Sequence, residues 1–554
     1  MASNTMSPWR RFLSLLKLER KDIFQVFYYS IFQGLVTLSL PLGIQAIIGF
    51  VQGAQVSTSW IVLVIIVTVG VIFSGILQLM QLKVIEKIQQ RIFTRASFEL
   101  SYRFPKIKMD ELRNYYPPEL ANRFFDTLTI QKGLSKILID IPSALIQILF
   151  ALILLSFYHS FFIIFGVLLL LLIFVVFRST AKRGLVTSLE ESKKKYKVAH
   201  WIQEIARAIK SFKLSGNSSL ALSKNDVLVL EYLKARNQHF NVLVLQFIQM
   251  ISFKVVVTAG LLSIGGVLVL QQQMNIGQFV AAEIIILLII NSVEKLILSL
   301  ESFYDVLTSI EKLGQVIDKK LEPQVKETAD FHRSMNIELE SVSYEVPEKE
   351  KAILHNISMN INEQSRILIE GESASGKSSL LRLISGIVEP TKGRIYINDL
   401  PLSSLCLNHY RSYLGMSLSE ESPFEGTIKE NLTFGDPSIT DDEIFSVLNQ
   451  VGLKPFIKEQ PKGLQTVLYP EGRRMSFTVA KKIILARAIL KKPKVMLLED
   501  PLDQFNKEEM DTIIESLTHK DNKWALIVIS SNDLWKKYCT ETIRLEEGTI
   551  KSKN

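Results

Sequence analysis

Gly371-Glu372-Ser373-Ala374-Ser375-Gly376-Lys377-Ser378 is the stretch whose reading decides the fold. It fits G-x-x-x-x-G-K-[ST], the spacing of a loop that wraps a chain of phosphates. The context fits as well. Arg366 to Glu370 (RILIE) is a short β-type run, and Ser378 to Ile384 opens an apolar-periodic helix. In that order of strand, loop and helix, the glycines let the backbone curl so that its amides face an anion, and the helix adds the positive end of its dipole. The expected nucleotide cradle is therefore Gly371, Ser373, Ala374, Ser375 and Gly376, running into Ser378 and Ser379. Lys377 supplies a point charge near the β- and γ-phosphates of ATP, and Ser378 a hydroxyl for Mg²⁺.

Downstream, Val495 to Leu498 reads as a buried strand ending in Glu499 and Asp500. An α/β sheet places ligand chemistry at the carboxyl ends of its parallel strands. One of these carboxylates can hold Mg²⁺ and the other can orient water. Glu499 is expected on the metal, and Asp500 with Glu499 forms the expected catalytic pair. From about residue 336 to 554, strands and helices alternate, the signature of an α/β domain.

The other half of the chain has a different character. Of 554 residues, 48% are hydrophobic and 21% charged, which fits an apolar part and a charged part in tandem. Six apolar runs are long enough to cross a bilayer, near 24–50, 56–82, 136–157, 160–178, 245–271 and 277–300. The third and fourth are joined by almost nothing and form a tight hairpin. Three connections, Gln52 to Ser57, Tyr158 to His159 and Gln271 to Ile276, contain no Lys or Arg. The opposite connections are long and basic, with Lys83, Lys87, Arg91 and Arg95 in one and Lys193, Lys194, Lys195 and Lys197 in the other. This bias puts the long loops, both termini and the α/β domain in the cytoplasm. It also explains the net charge of +9 without nucleic acid as a partner. The long loops keep helical periodicity, so they are expected to be helices running on from the membrane. Cys406 and Cys539 are the only cysteines and have no metal or disulfide spacing.

Trp9, Phe12, Leu13 and Leu16 alternate with Arg10, Arg11, Lys17 and Arg20 at helical spacing. Residues 1–23 therefore read as an amphipathic helix on the membrane face rather than a cleaved signal. The expected layout continues with a membrane domain over 24–305, a charged linker over 306–335 and the nucleotide-binding domain over 336–554. Lys254 and Glu283 are singled out as ionisable residues within spans. Their depths differ by roughly 16 Å at the helical rise, so they are not expected to pair. Snorkelling for Lys254 and a wet rim for Glu283 are the plainer readings beside contact with substrate.

Six spans with two long loops, the phosphate loop and the acidic strand end together resemble the ABC exporter superfamily, in its bacterial half-transporter form. Asn122-Arg123 and Asp126, and Gln203-Glu204 through Ile209-Lys210, resemble that family's coupling segments. Gly426-Thr427-Ile428-Lys429-Glu430-Asn431 resembles the stretch after its Q-loop, and Leu485-Ala486-Arg487-Ala488 the helix after its signature. The resemblance implies a fold of two parts, an all-α six-helix transmembrane domain followed by an α/β P-loop ABC nucleotide-binding domain. It implies ATP and Mg²⁺ as cofactors, and assembly as a homodimer or a heterodimer with another half-transporter in the bacterial inner (plasma) membrane.

Several family positions differ here. The adenine-stacking aromatic aligns with Val346, which leaves Tyr344 as the substitute. The Q-loop glutamine aligns with Ser419, the switch histidine with Ser531 and the D-loop aspartate with Asn506. The signature L-S-G-G-Q aligns with Met475-Ser476-Phe477-Thr478-Val479, where only Ser476 is unchanged. The Asp-Glu pair is inverted to Glu499-Asp500, and an exchange of jobs between the two stays open. Asp500 is shorter than Glu by about 1.5 Å of reach, and a misplacement of about 1 Å can cost on the order of 10²-fold in rate. Nucleotide binding is thus expected to persist while hydrolysis is depressed. The expected function is ATP-driven export of an unidentified substrate from a cavity lined by apolar residues. The alternative is a non-transporting regulatory or assembly subunit with ATP as a structural clamp. About 22 residues precede the first span, which disfavours leader-peptide processing by this chain.

Overall fold

The computed structural model describes residues 6–53, 58–324, 329–347, 351–502 and 504–553. The Gln52 to Ser57 connection falls outside them at 54–57, and the expected linker does so at 325–328. Two compact units emerge, Met1–Pro105 with Asn114–Lys319, and Lys106–Arg113 with Lys320–Asn554.

The first unit is helical. Among the described residues, six helical stretches are long and apolar enough to cross a membrane. The first is broken at Leu38 into Arg20–Thr37 and Ser39–Gln52. The others are built on Thr58–Arg103, Asp126–Ser156, Phe161–Arg207, Leu220–Gly260 and Ile276–Ile317. Leu261–Gly265 is a π turn that carries the fifth stretch on into Gly266–Leu270. A helix of 46 residues such as Thr58–Arg103 is roughly 69 Å long, over twice the hydrocarbon thickness. The long basic loops are thus helical extensions of the spans, as the periodicity requires.

The final long helix, Ile276–Ile317, is the best covered of the six. Its start is fixed by a capping box, in which Asn275 accepts from the Gln278 N–H and Gln278 reaches back. Its far end receives the N-terminal helix Pro8–Leu18. Phe12 is buried edge-on against Phe303, and Arg11 pairs with Asp318 and Glu311. Arg11 lies across Gly314, where a Cβ would meet the guanidinium at 1.9 Å. Trp9 packs on the same side, its ring against Phe12 and Phe303, but stays half exposed, as does Leu13.

The spans hold more charge than the two residues singled out from sequence. Lys136, Asp140, Glu294 and Lys295 also lie within them, near ends where a hydropathy window averages charge away. Lys254 forms an ion pair with Glu294. A partner within the membrane unit, rather than snorkelling alone, therefore accounts for the Lys254 charge.

The second unit is built on two larger sheets, with a small two-stranded one pairing Gly426–Thr427 with Val467–Leu468. A four-stranded antiparallel sheet runs Leu354–Ile361, Ile337–Tyr344, Lys392–Ile397, Leu400–Pro401. A six-stranded sheet runs Thr549–Lys553, Glu541–Glu546, Arg366–Glu370, Ala525–Ile529, Val495–Glu499, Leu414–Ser417. Its middle strands are parallel, and Val495–Glu499 and Ala525–Ile529 are buried at every position, as strands covered on both faces must be. Lys106–Arg113 belongs to this unit although it lies in the first long loop. The Lys108 N–H donates to the Lys320 carbonyl (3.0 Å) and the Glu322 N–H to the Lys106 carbonyl (2.8 Å). Lys108 Nζ reaches Glu389 at 2.6 Å, and buried Glu322 takes a two-pronged contact from Arg411 (2.8 Å each). The second unit therefore begins about 15 residues before the expected boundary at 336 and borrows a segment from inside the expected 24–305 domain.

Candidate functional site

The six-stranded sheet brings the phosphate-type loop and the acidic strand end to one edge. Arg366–Glu370 and Val495–Glu499 flank Ala525–Ile529 in parallel register, so both carboxyl ends open on the same side. The loop at 371–376 needs its glycines. Gly376 has φ +100, and a Cβ there would meet Leu354 Cδ2 at 2.7 Å and the Ile353 carbonyl at 2.8 Å. At Gly371 (φ +151) a Cβ would lie 2.3 Å from the Leu545 carbonyl. Ala374 also takes a left-handed conformation, at φ +65.

Lys377 opens the helix Lys377–Ile384 and folds back over the loop. Its ammonium donates to the carbonyls of Gly371 (2.6 Å) and Glu372 (2.7 Å). The buried Ser375 Oγ has no hydrogen-bond partner. A concave loop with a cation, an orphaned hydroxyl and a helix N-terminus is chemically suited to a phosphate chain. Ser373 is exposed at the loop's rim, and Ser379 is half-buried in the first helical turn.

Glu499 is the hub of the neighbouring polar cluster. It is buried and accepts from the Ser419 N–H (3.0 Å) and Ser419 Oγ (2.9 Å), and from the Ser378 hydroxyl. Burial pushes its carboxyl up, but the Ser378 and Ser419 hydrogen bonds and the Arg382 charge outweigh that and hold it below the usual carboxylate range. Ser378 and Glu499 thus meet as a divalent metal's ligands should, with oxygen donors of the type Mg²⁺ prefers. Asp500 follows at φ +42, its N–H bonded to the Ile529 carbonyl (2.9 Å). Such a conformation is strained for a non-glycine residue and turns this carboxylate away from the line of the strand.

Lys481 was not legible as a site residue. It lies on the helix Phe477–Leu490, is only 4% exposed, and donates to the Leu418 and Ser419 carbonyls at 3.0 Å each. It therefore holds the segment that holds Glu499. The available signal is a Lys481-Lys482 pair one turn into a helix that continues as the apolar run Ile483 to Ala486, where a buried lysine requires a partner. At the start of that helix Ser476 caps the Val479 N–H, its hydroxyl also paired with Thr478 (2.9 Å). Phe477 beside it is 49% exposed.

Tyr344 is not brought to the loop as a free platform. It is 8% exposed, packs in the core between the sheets, and accepts from Arg113 at 3.2 Å. An adenine-stacking ring needs an open face, and this one is covered. Ser531 is exposed after the strand Ala525–Ile529, and Asn506 caps its own helix by accepting from the Glu509 N–H (2.8 Å).

Comparison with known proteins follows the same division. Residues 23–293 match the model of the ABC transporter transmembrane region, and 354–503 the ABC transporter model of the ATP-binding domain. An uncharacterised ABC transporter ATP-binding protein of Bacillus subtilis is 28% identical over 240 residues, 43% of this chain and 42% of that protein. The α-haemolysin translocation ATP-binding protein of Escherichia coli O157:H7 is 26% identical over 305 residues, 55% of this chain and 43% of that protein. Each match thus spans less than half of the relative's length. A solved bacterial Atm1-family ABC exporter with ATP bound shares the fold, with a TM-score of 0.86 over 97% of this chain and 95% of that one, at 16% identity.

Proposed function

Because the chain belongs to the ABC transporter superfamily, with the membrane region and ATP-binding domain of that family fused in one polypeptide, we propose that it is an exporter subunit that binds ATP firmly and hydrolyses it slowly. The observation that carries this reading is the unequal state of its two helix N-termini. The phosphate loop keeps its glycines, Lys377 and an unpartnered Ser375 hydroxyl, whereas the signature segment carries exposed Phe477 where the backbone must be bare.

In this reading the amides of 371–379 and Lys377 hold the phosphates of ATP. Ser378 and Glu499 hold Mg²⁺, which when bound neutralises charge on the β- and γ-phosphates. Asp500 is left as the group that orients water, from a short side chain on a strained backbone. Ser419 holds Glu499 but cannot reach as far as a glutamine would. Tyr344 takes no part in the site, and the adenine is held by other means. ATP joins two such units in a dimer, with a second copy or with another half-transporter. The basic loop bias supports an orientation with the ATP-binding domain in the cytoplasm, and the membrane proposed is the bacterial inner one.

ATP turnover by the purified chain in lipid nanodiscs, alone and with any half-transporter that co-purifies, tests this. Saturable ATP binding with turnover below about 0.1 s⁻¹ is expected, against enzyme values of typically about 1–10³ s⁻¹. Turnover within that ordinary range by the chain alone would overturn slow hydrolysis. Absence of nucleotide binding would overturn the reading as a whole.

A further inference from the structure

The membrane unit contains a cavity of about 760 Å³ among its first, second, third and sixth spanning helices. Its walls are not simply apolar. Gln33 enters from the first helix, Gln78 and Gln81 from the second, Asp140 and Ser143 from the third, and Lys295 from the sixth. At 1.5 Å per residue all six lie within about 15 Å of the span ends that lead into the long extensions, so they share one level in the bilayer half next to those extensions.

The sixth helix explains why this charge is exposed to the cavity. Glu294 and Lys295 are consecutive and so point about 100° apart. Glu294 is satisfied by Lys254 of the fifth helix. Lys295 faces the opposite group of helices, and among the described residues no carboxylate lies within ion-pair distance of it. Asp140 feels the Lys295 charge but bonds to Ser299 instead. Gln33 Oε1 is buried there without a hydrogen-bond partner. The cavity therefore holds a cation and an anion that do not close on each other, with an unsatisfied amide oxygen beside them.

Unsatisfied polar groups in a membrane interior are costly, and they select against a purely hydrocarbon ligand, which would leave them unpaired. We propose that this cavity is a binding site for a small zwitterionic, amide-bearing solute, of the chemistry of a short peptide. The carboxylate would meet Lys295, the ammonium Asp140, and a backbone N–H the Gln33 carbonyl. The volume lies within the range of about 300–1,000 Å³ usual for small-ligand sites, and Ile72, Ile76 and Leu79 supply the apolar wall that such sites share. The proposal names a substrate class for the export reading and rests on it for its purpose.

The test is equilibrium dialysis of radiolabelled trialanine against the full-length chain in phosphatidylcholine nanodiscs, without nucleotide. Saturable binding is expected, weakened roughly tenfold or more by Lys295→Gln or by Asp140→Asn, the loss due to one charge-assisted bond, and further by blocking both peptide ends as N-acetyl-trialanine amide, which removes two. On the same samples, ATP binding reports the folding of the ATP-binding unit and an unchanged far-ultraviolet helix signal that of the membrane unit. Equal binding of the blocked peptide, no effect of either substitution in an ATP-binding sample, or no saturable binding by the native chain would each overturn the proposal. So would displacement of the peptide by phosphatidylglycerol in a manner that needs Lys295 but not Asp140, which would make the cavity an anionic lipid site. Peptide binding without ATP binding would instead leave this site standing and sink the export reading.

Discussion

The phosphate loop and the signature segment make an instructive pair. Each leads into a helix, Lys377–Ile384 in one case and Phe477–Leu490 in the other. The first approach is bare backbone with left-handed glycines, which no other residue fits. The second is capped by Ser476, whose hydroxyl is already engaged by Val479 and Thr478, and is screened by the Phe477 ring. One helix end is kept open to an anion and the other is closed by its own side chains. A site can thus keep the geometry for holding a nucleotide while losing the surfaces that complete it.

The sharpest way to break the comparison is at its open end. Lys377→Ala should weaken ATP binding by about 100-fold, the upper range for a charge-assisted contact. A filter-binding assay reads this directly, and unchanged affinity would show that the loop is not the nucleotide site. Gly376→Ala comes next. A Cβ at φ +100, 2.7 Å from Leu354, should destabilise the soluble unit by roughly 2 kcal/mol, seen as a lower urea midpoint with unchanged slope.

The closed end predicts smaller changes. Under the proposed reading, Asp500→Glu should raise ATP turnover by less than about threefold, because the losses proposed at Ser419, Ser531 and Phe477 would remain. A large rise in a coupled ATPase assay would place the whole defect in one methylene. The smallest expected effect concerns pH. The Glu499 carboxyl is held below its ordinary range, so its stabilising contribution is fully present above the unfolded value and fades as pH falls through the folded one. Glu499→Gln should flatten the acid side of the stability profile and leave the alkaline side alone. An unchanged acid limb would mean that its serine contacts do not favour the charged form.

Local patterns carried most of the fold. The strand-loop-helix around 371–378 and the six apolar runs are each contained in a continuous stretch, so spacing alone reveals them. The rest depends on contacts between distant residues. The Lys254–Glu294 pair spans two helices, and Lys481 meets Leu418 and Ser419 across more than 60 positions. Tyr344 is an aromatic at nearly the right place, but a bulge at Ser341 (φ +48) breaks the alternation along Ile337–Tyr344, and Tyr344 joins Ile337, Leu339 and Val342 in the buried core. A strand's period of two decides such a question, and one residue of register reverses the answer.

The small graft at Lys106–Arg113 has a practical bearing on how this protein is cut. Ile107 bridges to Leu321, Lys106 and Lys108 exchange backbone hydrogen bonds with Glu322 and Lys320, and Arg113 reaches Tyr344. A gene truncated to begin at residue 320 would yield an ATP-binding fragment with that seam torn open. Its newly bared amides and carbonyls would invite association with other fragments. Joining 106–113 to the front of such a fragment through a short flexible tether would restore the missing edge and give a more faithful soluble piece for nucleotide titration.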